Sequence, residues 1–343
     1  MLNIDELLVP FWEGTEVFGE SVMMLSENGQ HPCARLFYEP EKILSVKSSD
    51  LKTEYKRGVD WEFERGRLVM PEGSRMPFMR REDCHFYDKR DEDCFKAKDG
   101  GYILYKRQGY FHKRQLSVTY THRDRVDFGP AKTDGKTLAK TKAILARREP
   151  LTVCFYGDSI TAGCDGSGMF GIAPFMPGWP ELFKYKTEKT FNAEMKIINT
   201  AVGGKRSDWG LCEAEERIAA YKPDLAVIAF GMNDGTENVP PAEFGRNIAG
   251  IKEKVLAKNP AAEFIFIATT LANAESVFDG CQRLYYNELV GCAGEKDAVL
   301  NMTKVHSILL GRKNFIDMTG NNINHPNDFL IRIYAQAIVN LLC

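Results

Sequence analysis

The sequence lacks the features that mark membrane-spanning and nucleic-acid-binding proteins. No run approaches the roughly 18 consecutive apolar residues of a membrane span. The longest strongly apolar stretch is LAVIAFGM, at 225–232. Charge of one sign is not in excess either, because 45 Lys and Arg nearly balance 47 Asp and Glu. A basic surface for nucleic acid is therefore not expected, and we predict neither a membrane nor a nucleic-acid partner.

Cysteine is present but lacks the spacing of a structural site. The nine cysteines form no C-x-x-C pair, which argues against a zinc ribbon, and their odd number argues against a disulfide framework. Cys84, His85 and Cys94 form a local group of soft ligands whose spacing matches no common metal site. The N-terminus, MLNIDELLVPFWEG, carries Asp5 and Glu6 where a secretory signal would carry basic residues. The sequence therefore predicts no metal site and a cytoplasmic location.

Length and a change of pattern along the chain predict two domains. At 343 residues the chain exceeds what one hydrophobic core usually organises. Residues 1–128 contain short alternating runs, including a hairpin predicted around the turn at 65–66, which is typical of a jelly-roll-like β-sandwich. Residues 129–149, rich in Lys and Ala, are predicted to form a linker with one short helix. Residues 150–343 are predicted to form the second domain.

The second domain alternates candidate strands with amphipathic segments. The candidate strands lie at 151–156, 196–202, 225–231 and 263–269. The near-continuous apolar runs LAVIAF and FIFIA predict strands that are covered on both faces, and hence a parallel sheet. The predicted fold class is α/β, with the parallel sheet preceded by an all-β domain.

Two glycine-rich segments resemble nucleotide-binding motifs but stand in the wrong context. GSGMFG, at 166–171, fits G-x-G-x-x-G, yet the preceding strand ends near Tyr156 and no helical segment follows. GPAKTDGKT, at 129–137, has five residues rather than four between its glycines, and no apolar strand precedes it. We therefore predict no nicotinamide, flavin or other cofactor.

Candidate site residues follow three strands of the second domain, at the strand ends where α/β sheets bind ligands. LTVCFY runs into GDSIT, which places Ser159 at the carboxyl end of a strand and before a predicted helix. The alternative is that Asp158 or Ser159 only caps that helix. Gly203 and Gly204 follow the second strand, and Asn233 follows the third. Two backbone N–H groups and an Asn amide can stabilise an oxyanion, although Gly-Gly and Asn-Asp-Gly are also common turns.

A histidine near the C-terminus is the last candidate. His325 lies in the loop NNINHPND before a final apolar helix, and from there it can reach the sheet edge as a general base. Of the other five histidines, four lie in the β-rich half, and His306 stands in an apolar context. The loop position therefore favours His325.

The four blocks GDSI, VGG, GMND and the late histidine occur in this order over residues 150–343 and together resemble the SGNH (GDSL-type) hydrolases. The resemblance implies a flavodoxin-like fold with Ser159 as nucleophile and His325 as base. It implies an oxyanion site formed by the N–H groups of Ser159 and Gly204 and by the side chain of Asn233. Gly203 is the less favoured of the two glycines.

The sequence departs from the family pattern at one position. Many members carry Asp three residues before the histidine, where this chain has Asn322. A neutral amide does not stabilise an imidazolium as a carboxylate does. The prediction is therefore a Ser159–His325 dyad held by a backbone carbonyl, with Asp317 and Asp328 as alternative acids.

A looser resemblance is to two-domain carbohydrate O-acetyl esterases, which place a β-sandwich before the SGNH domain. It rests on the domain order, on Asn322 and on the aromatic loop at 175–180, where Trp179 either lines a sugar site or packs in the core. It implies hydrolysis of small O-acetyl esters on a sugar or oligosaccharide. Asp158, Asn322 and Trp179 are further candidates for orienting or substrate contacts. The alternatives are a lipase, thioesterase or lysophospholipase on the same scaffold, and a non-catalytic carbohydrate-binding protein.

Overall fold

The computed structural model describes residues 2–90, 93–126, 128–130 and 133–343, and it shows a β-rich N-terminal region followed by an α/β domain. Among the described residues, the N-terminal region forms helices α1 (Ile4–Leu7) and α2 (Arg81–Cys84). Its strands are β1 (Glu16–Met23), β2 (Leu25–Ser26), β3 (Cys33–Ala34), β4 (Pro40–Ser48), β5 (Glu62–Glu64), β6 (Arg67–Val69), β7 (Met79–Arg80), β8 (His85–Phe86), β9 (Cys94–Lys96), β10 (Tyr102–Leu104) and β11 (Gln115–His122).

Antiparallel pairing dominates the N-terminal region. Strand β11 lies between β1 and β4 and pairs antiparallel with both, and the other sheets have the orders β8-β10-β9 and β5-β6-β3-β2-β7. The predicted hairpin is confirmed: β5 and β6 pair around Arg65 and Gly66, whose φ values of 50° and 76° suit a tight turn between twisted strands. The β-rich character is thus confirmed, while the jelly-roll arrangement stays a prediction.

The predicted linker contains a packed helix, α3 (Ala139–Ala146). The carboxylate of Glu263 accepts hydrogen bonds from the N–H groups of Lys140 and Thr141, at 2.9 and 2.8 Å, and so satisfies free donors at the start of this helix. A short helix in this segment is confirmed, and the domain boundaries stay predictions. The P-loop-like segment at 129–137 lies partly outside the described residues.

The α/β domain is built on a five-stranded parallel sheet of order β13-β12-β14-β15-β16. Its elements are β12 (Leu151–Gly157), α4 (Trp179–Phe191), β13 (Met195–Asn199), α5 (Ser207–Arg217), β14 (Leu225–Ala229), α6 (Met232–Thr236), α7 (Pro241–Lys258), β15 (Glu263–Ala268), α8 (Tyr285–Cys292), β16 (Ala298–Asn301), α9 (Met302–Leu310) and α10 (Asp328–Asn340). The order 2-1-3-4-5 is that of flavodoxin-like sheets, as predicted. The sequence pattern misses only β16, whose four residues are too few to form a recognisable apolar run.

Alternate residues of the parallel strands enter two different hydrophobic clusters. Phe155 and Val227 pack with residues of α4 and α10, whereas Tyr156 and Ile228 pack with residues of α5, α7 and α8. Both faces of the central strands β14 and β15 are therefore buried, which explains why LAVIAF and FIFIA are apolar throughout. The predicted parallel sheet is confirmed.

The longest apolar run of the chain belongs to this sheet. LAVIAFGM forms strand β14 and the residues that lead into α6. None of the helices in the described parts of the chain is both long enough and apolar enough to cross a membrane.

Helix α10 joins the N-terminal region to the α/β domain. It contacts α4 on one side and β1 on another, and every residue of the helix after Asp328 is buried. Phe11 packs edge-on against Phe329 with ring centroids 5.1 Å apart. Arg332 and Gln336 donate hydrogen bonds to backbone carbonyls of the N-terminal region. The two parts of the chain therefore share one hydrophobic core.

A buried ion pair also connects the two regions. Lys313, which follows α9, donates to the carboxylate of Glu20 in β1 and to the carbonyl of Ser21 (2.8 Å), and the side chains of both charged residues are fully buried. Glu20 also accepts from the N–H of Phe37 (2.9 Å) and the hydroxyl of Tyr120 (2.5 Å). The charged atoms of this ion pair are therefore hydrogen-bonded within the core.

We expect Lys313→Met to lower the free energy of unfolding by about 3–5 kcal/mol, because it leaves the Glu20 carboxylate buried without its charged partner. Urea unfolding followed by tryptophan fluorescence measures this loss. The double variant Glu20→Gln/Lys313→Met removes both charges and is expected to recover part of the stability. A double variant as unstable as the single one would assign the loss to packing or to Asp317, whose carboxylate lies 3.9 Å from Nζ of Lys313, rather than to the unpaired Glu20.

Candidate active site

Ser159 lies in a turn at the carboxyl end of β12. The N–H of Cys164 donates to the carbonyl of Ser159 (2.9 Å), and a series of turns, including the GSGMFG segment, occupies the loop that follows. The structure describes every residue of 158–178 and shows no α-helix there; the next one, α4, begins at Trp179. Glycines and prolines in this loop do not propagate a helix. The prediction that a helix directly follows Ser159, with its dipole favouring negative charge there, is therefore wrong.

The loop at 319–327 places His325 against the serine. The side-chain oxygen of Asn321, which is fully buried, accepts hydrogen bonds from the N–H groups of residues 323–325, at 2.9–3.2 Å. This local bonding fixes the backbone that carries His325. Its Nε2 lies 2.8 Å from Oγ of Ser159, so the predicted pair is brought into hydrogen-bond contact.

The second ring nitrogen of His325 contacts the carboxylate of Asp165. Nδ1 of His325 is hydrogen-bonded to Oδ2 of Asp165, while Oδ1 accepts from Nε of Arg107 at 3.0 Å. The side chain of Asp165 is fully buried. Burial by itself raises the pKa of Asp165, but the hydrogen bonds and charges of His325 and Arg107 outweigh it and hold that pKa below its usual value. The carboxylate is therefore ionised and able to stabilise an imidazolium.

This contact corrects the prediction of a dyad held by a backbone carbonyl. The two alternative acids are engaged elsewhere: Asp317 accepts from the N–H groups of Met23 (2.7 Å) and Asn314 (2.9 Å), and Asp328 accepts from the N–H of Ser167 (2.8 Å). Neither is bonded to His325 within the described part of the chain. Both serve as acceptors for backbone groups that the fold would otherwise leave unpaired.

Asn322 has a structural role that explains the departure from the family pattern. Its side-chain amide donates to the carbonyl of Leu104 (3.1 Å), which belongs to the N-terminal region, and the residue is buried. An aspartate here could not donate and would place its charge against a carbonyl oxygen. The amide therefore bonds the histidine loop to the N-terminal region, and the carboxylate comes from another loop.

No sequence pattern predicted Asp165 as a residue of the site. It follows Ser159 by six positions in a loop of turns, and it is separated from His325 by 160 positions. No periodicity or spacing connects the two residues. Only the packing of their loops brings them together.

Gly204 and Asn233 line one groove near the serine. A Cβ built on Gly203 would lie 3.6 Å from Cβ of Ser159, which places this glycine turn beside the nucleophile. Gly204 has φ of 74°, and a Cβ there would meet open space. One N–H of the Asn233 amide donates to the carbonyl of Lys205 (2.9 Å), and the amide carries a second N–H. The oxyanion roles of these residues stay predictions.

Asp158 lies buried beneath the nucleophile turn. Its Oδ1 accepts from the N–H of Ile160 (2.9 Å), a turn-forming bond between a side chain and the backbone two residues on. Burial raises the pKa of Asp158 to about 7, although the Ile160 N–H opposes that rise. With 1% exposure, Asp158 shapes the turn from inside and is not available as a substrate contact.

Trp179 packs in the core, so its interpretation as part of a sugar site is wrong. The ring is fully buried and stacks on Tyr334 with centroids 5.6 Å apart, and its Nε1–H donates to the carbonyl of Ile160 (3.1 Å). This bond supports the turn that follows Ser159. The exposed aromatic residue of the same loop is Phe175, at 60% exposure.

A polar groove of about 460 Å³ lies next to Gly204 and Asn233. Its other lining residues are Lys205, Arg206, Asp208, Trp209, Thr236, Glu237 and Phe278. The cation of Lys205 lies 5.2 Å from the ring of Trp209. Trp209 and Phe278 belong to no motif that would have marked them in the sequence.

Known structures include one of similar fold. A crystal structure of a two-domain esterase active on acetylated mannans superposes with a TM-score of 0.51 and 23% sequence identity, covering 63% of this chain and 55% of that chain. The likeness shows a shared fold.

Two proteins of known sequence match part of this chain. Esterase TesA of Pseudomonas aeruginosa is 30% identical over 109 residues, which are 31% of this chain and 49% of TesA. An arylesterase of Vibrio mimicus is 27% identical over 93 residues, which are 27% of this chain and 42% of that protein. The chain thus spans about half the length, or less, of these relatives.

The family match covers the segment that carries the described geometry. Residues 155–328 match the model of the GDSL-like Lipase/Acylhydrolase family, a span that includes Ser159, Asp165 and His325. Because this span is half of the 343 residues, the protein belongs to the GDSL-like Lipase/Acylhydrolase family.

Proposed function

We propose that this protein is a carboxylic ester hydrolase with Ser159, His325 and Asp165 as its catalytic triad. One observation carries the proposal: His325 bonds Oγ of Ser159 through Nε2 (2.8 Å) and the buried carboxylate of Asp165 through Nδ1. A nucleophile, a base and an orienting acid linked in this order are the groups that acyl transfer requires. Membership of the family supports the same chemistry.

The proposed reaction proceeds through an acyl-enzyme. His325 takes the proton of Ser159 while Oγ bonds to the ester carbonyl carbon, and Asp165 stabilises the imidazolium. The N–H groups of Ser159 and Gly204 and the free N–H of the Asn233 amide hold the oxyanion. The tetrahedral intermediate then expels the alcohol, to which His325 returns the proton. A water molecule activated by the same histidine next hydrolyses the acyl-enzyme and releases the carboxylic acid.

The proposed substrate is a short O-acyl group, such as acetyl, on a carbohydrate. Charged and polar side chains line most of the groove beside Gly204 and Asn233, which suits a hydroxyl-rich alcohol better than a long acyl chain. Trp209 and Phe278 supply aromatic surface in the same groove. The activity of the two-domain esterase of similar fold on acetylated mannans agrees with this proposal.

Initial rates on matched esters test the proposal. Hydrolysis of 4-nitrophenyl acetate, acetate release from acetylated mannan and xylan, and hydrolysis of 4-nitrophenyl palmitate should be measured together. We expect turnover of the acetyl esters and little of the palmitate. A preference for palmitate would support a lipase or thioesterase, and glycan binding without turnover of any ester would support a non-catalytic binding protein.

We expect Asn233→Ala to lower kcat about 10²–10³-fold, because it removes one proposed oxyanion donor. KM should change little, since the donor acts on charge that develops in the transition state. Steady-state kinetics with 4-nitrophenyl acetate measure both constants. Asn259→Ala, which removes an amide bonded to the carbonyl of Pro223 (2.8 Å), is the control and should keep wild-type kcat. Wild-type kcat in Asn233→Ala would exclude the oxyanion role.

A further inference from the structure

We propose that Arg107, from the N-terminal region, is a positioning residue of the active site that holds Asp165 ionised and correctly oriented for His325. The inference rests on the proposed function. It would make the β-rich region a part of the catalytic centre rather than a separate accessory domain.

The two carboxylate oxygens of Asp165 have different partners. Oδ2 is bonded to Nδ1 of His325, and Oδ1 accepts from Nε of Arg107 at 3.0 Å. Rotation of the carboxylate about its Cβ–Cγ bond would break both bonds, so the arginine also fixes the oxygen that faces the histidine. Among the hydrogen bonds that the structure describes, these two are the only ones made to this carboxylate. The orientation of the proposed acid therefore depends on a residue from the N-terminal region.

The segment that carries Arg107 is itself fixed against both catalytic loops. Strand β10 ends at Leu104, whose carbonyl accepts from the side-chain amide of Asn322 in the histidine loop (3.1 Å). Five residues after Arg107, Nε2 of His112 is hydrogen-bonded to the carbonyl of Ala173 in the loop that contains Asp165 (2.8 Å). The segment at 104–112 thus contacts the acid loop and the histidine loop together.

Close backbone packing supports the same arrangement. A Cβ on Gly320, in the histidine loop, would lie 2.6 Å from the carbonyl oxygen of Asp165, so only glycine allows the two loops to approach this closely. A Cβ on Gly109 would lie 2.3 Å from the side chain of Ile172, so the Arg107 segment also packs tightly on the acid loop. The backbone that carries Arg107 is thereby packed against the loop that carries Asp165.

The charges around Asp165 give the expected direction of a pH effect. The titratable groups that face it are His325, Arg107, the thiol of Cys164 and the hydroxyl of Tyr105. Burial disfavours the carboxylate, whereas His325 and Arg107 favour it. Without the guanidinium one partner that favours the carboxylate is lost, so we expect the pKa of Asp165 to rise. Loss of a cation beside the acid–base pair also stabilises the protonated form of the site, so activity should be lost at a higher pH on acidification.

The test compares Arg107→Gln and Arg107→Ala with Arg114→Gln. Arg114 lies in the same region, with its guanidinium 3.7 Å from the ring of Tyr110, and it donates to the carbonyl of that residue (2.8 Å). We expect kcat of both Arg107 variants to fall about ten- to hundredfold, as for the loss of one charge-assisted hydrogen bond, while KM changes little. The acid limb of the pH profile should move upward. Methylguanidinium should restore part of the kcat of Arg107→Ala, and Arg114→Gln should match the wild type.

Separate outcomes overturn the inference and the proposed function. Wild-type kcat and an unchanged pH profile in Arg107→Gln would overturn the inference. The inference would also fail if methylguanidinium did not restore activity to Arg107→Ala and Arg114→Gln lost activity to the same extent. The proposed function itself fails if the wild type neither hydrolyses esters nor labels Ser159 with a fluorophosphonate. A ¹³C-NMR titration of the Asp165 carboxyl in the wild type and in Arg107→Gln tests the inference without any substrate, and an unchanged pKa would refute it.

Discussion

Ser159→Ala should lower kcat for 4-nitrophenyl acetate by about 10⁶-fold, the scale seen when the nucleophile of a serine triad is removed. The change deletes the Oγ atom that lies 2.8 Å from Nε2 of His325, and no second hydroxyl replaces it in that hydrogen bond among the described contacts. The side chain is 4% exposed and small, so the loss of one oxygen should leave the fold intact. Steady-state rates and circular dichroism of the purified variant measure both effects.

Ser307→Ala is the control for this change. Ser307 lies on α9, and its hydroxyl donates to the carbonyl of Thr303 (2.7 Å), so the variant removes a serine hydroxyl without touching the proposed triad. It should keep wild-type activity. A Ser159→Ala enzyme that retains more than a small fraction of its activity would mean that another group acts as nucleophile, or that a contaminant hydrolyses the ester.

Asp165→Asn should lower kcat by about 10⁴-fold, as replacing a triad carboxylate by its amide does. The amide has nearly the same shape, but it carries no charge to stabilise the imidazolium of His325. It also offers an N–H where Nδ1 or Arg107 needs an acceptor. The loss should appear in kcat far more than in KM, because Asp165 acts through the histidine and does not contact the substrate. Steady-state kinetics together with the rate of fluorophosphonate labelling of Ser159 measure it.

Asp328→Asn is the matched control, because Asp328 is the acid nearest in sequence to His325 on the C-terminal side. Its Oδ1 accepts from the N–H of Ser167 (2.8 Å), and an asparagine keeps an acceptor at that place. We expect its activity to stay within a few-fold of wild type, because the variant keeps the acceptor for the Ser167 N–H and Asp328 makes no hydrogen bond to His325 among the described contacts. If Asp165→Asn were as active as Asp328→Asn, the dyad predicted from the sequence would be the better description after all.

The proposed role of the N-terminal region changes how the two parts of the chain are viewed. Leu104 and Arg107 contact the histidine loop and the acid loop, respectively, and the ion pair between Glu20 and Lys313 joins the regions inside their common core. A protein cut at the predicted linker would lose these contacts. The interface between the regions is therefore expected to affect catalysis as well as stability.

Local sequence patterns determined the parallel sheet and the positions of the serine and the histidine. Apolar runs such as LAVIAF predict doubly covered strands, because a strand buried on both faces cannot alternate with polar residues. Carboxyl ends of parallel strands meet at one edge of the sheet, which is why GDSI, VGG and GMND, distant in sequence, could be assigned to one place. The loop position near the C-terminus favoured His325, and the structure places it 2.8 Å from Ser159.

Tertiary structure alone decided which acid faces the histidine and what surrounds it. Asp165 lies in a loop of turns without periodicity, and its partners His325 and Arg107 are 160 and 58 positions away. The sequence showed that Asn322 cannot serve as the acid, but not that its amide bonds a carbonyl of the N-terminal region. Such contacts depend on how whole loops and regions pack, because hydrogen bonds between distant segments follow from the final positions of the backbone and leave no pattern along the chain.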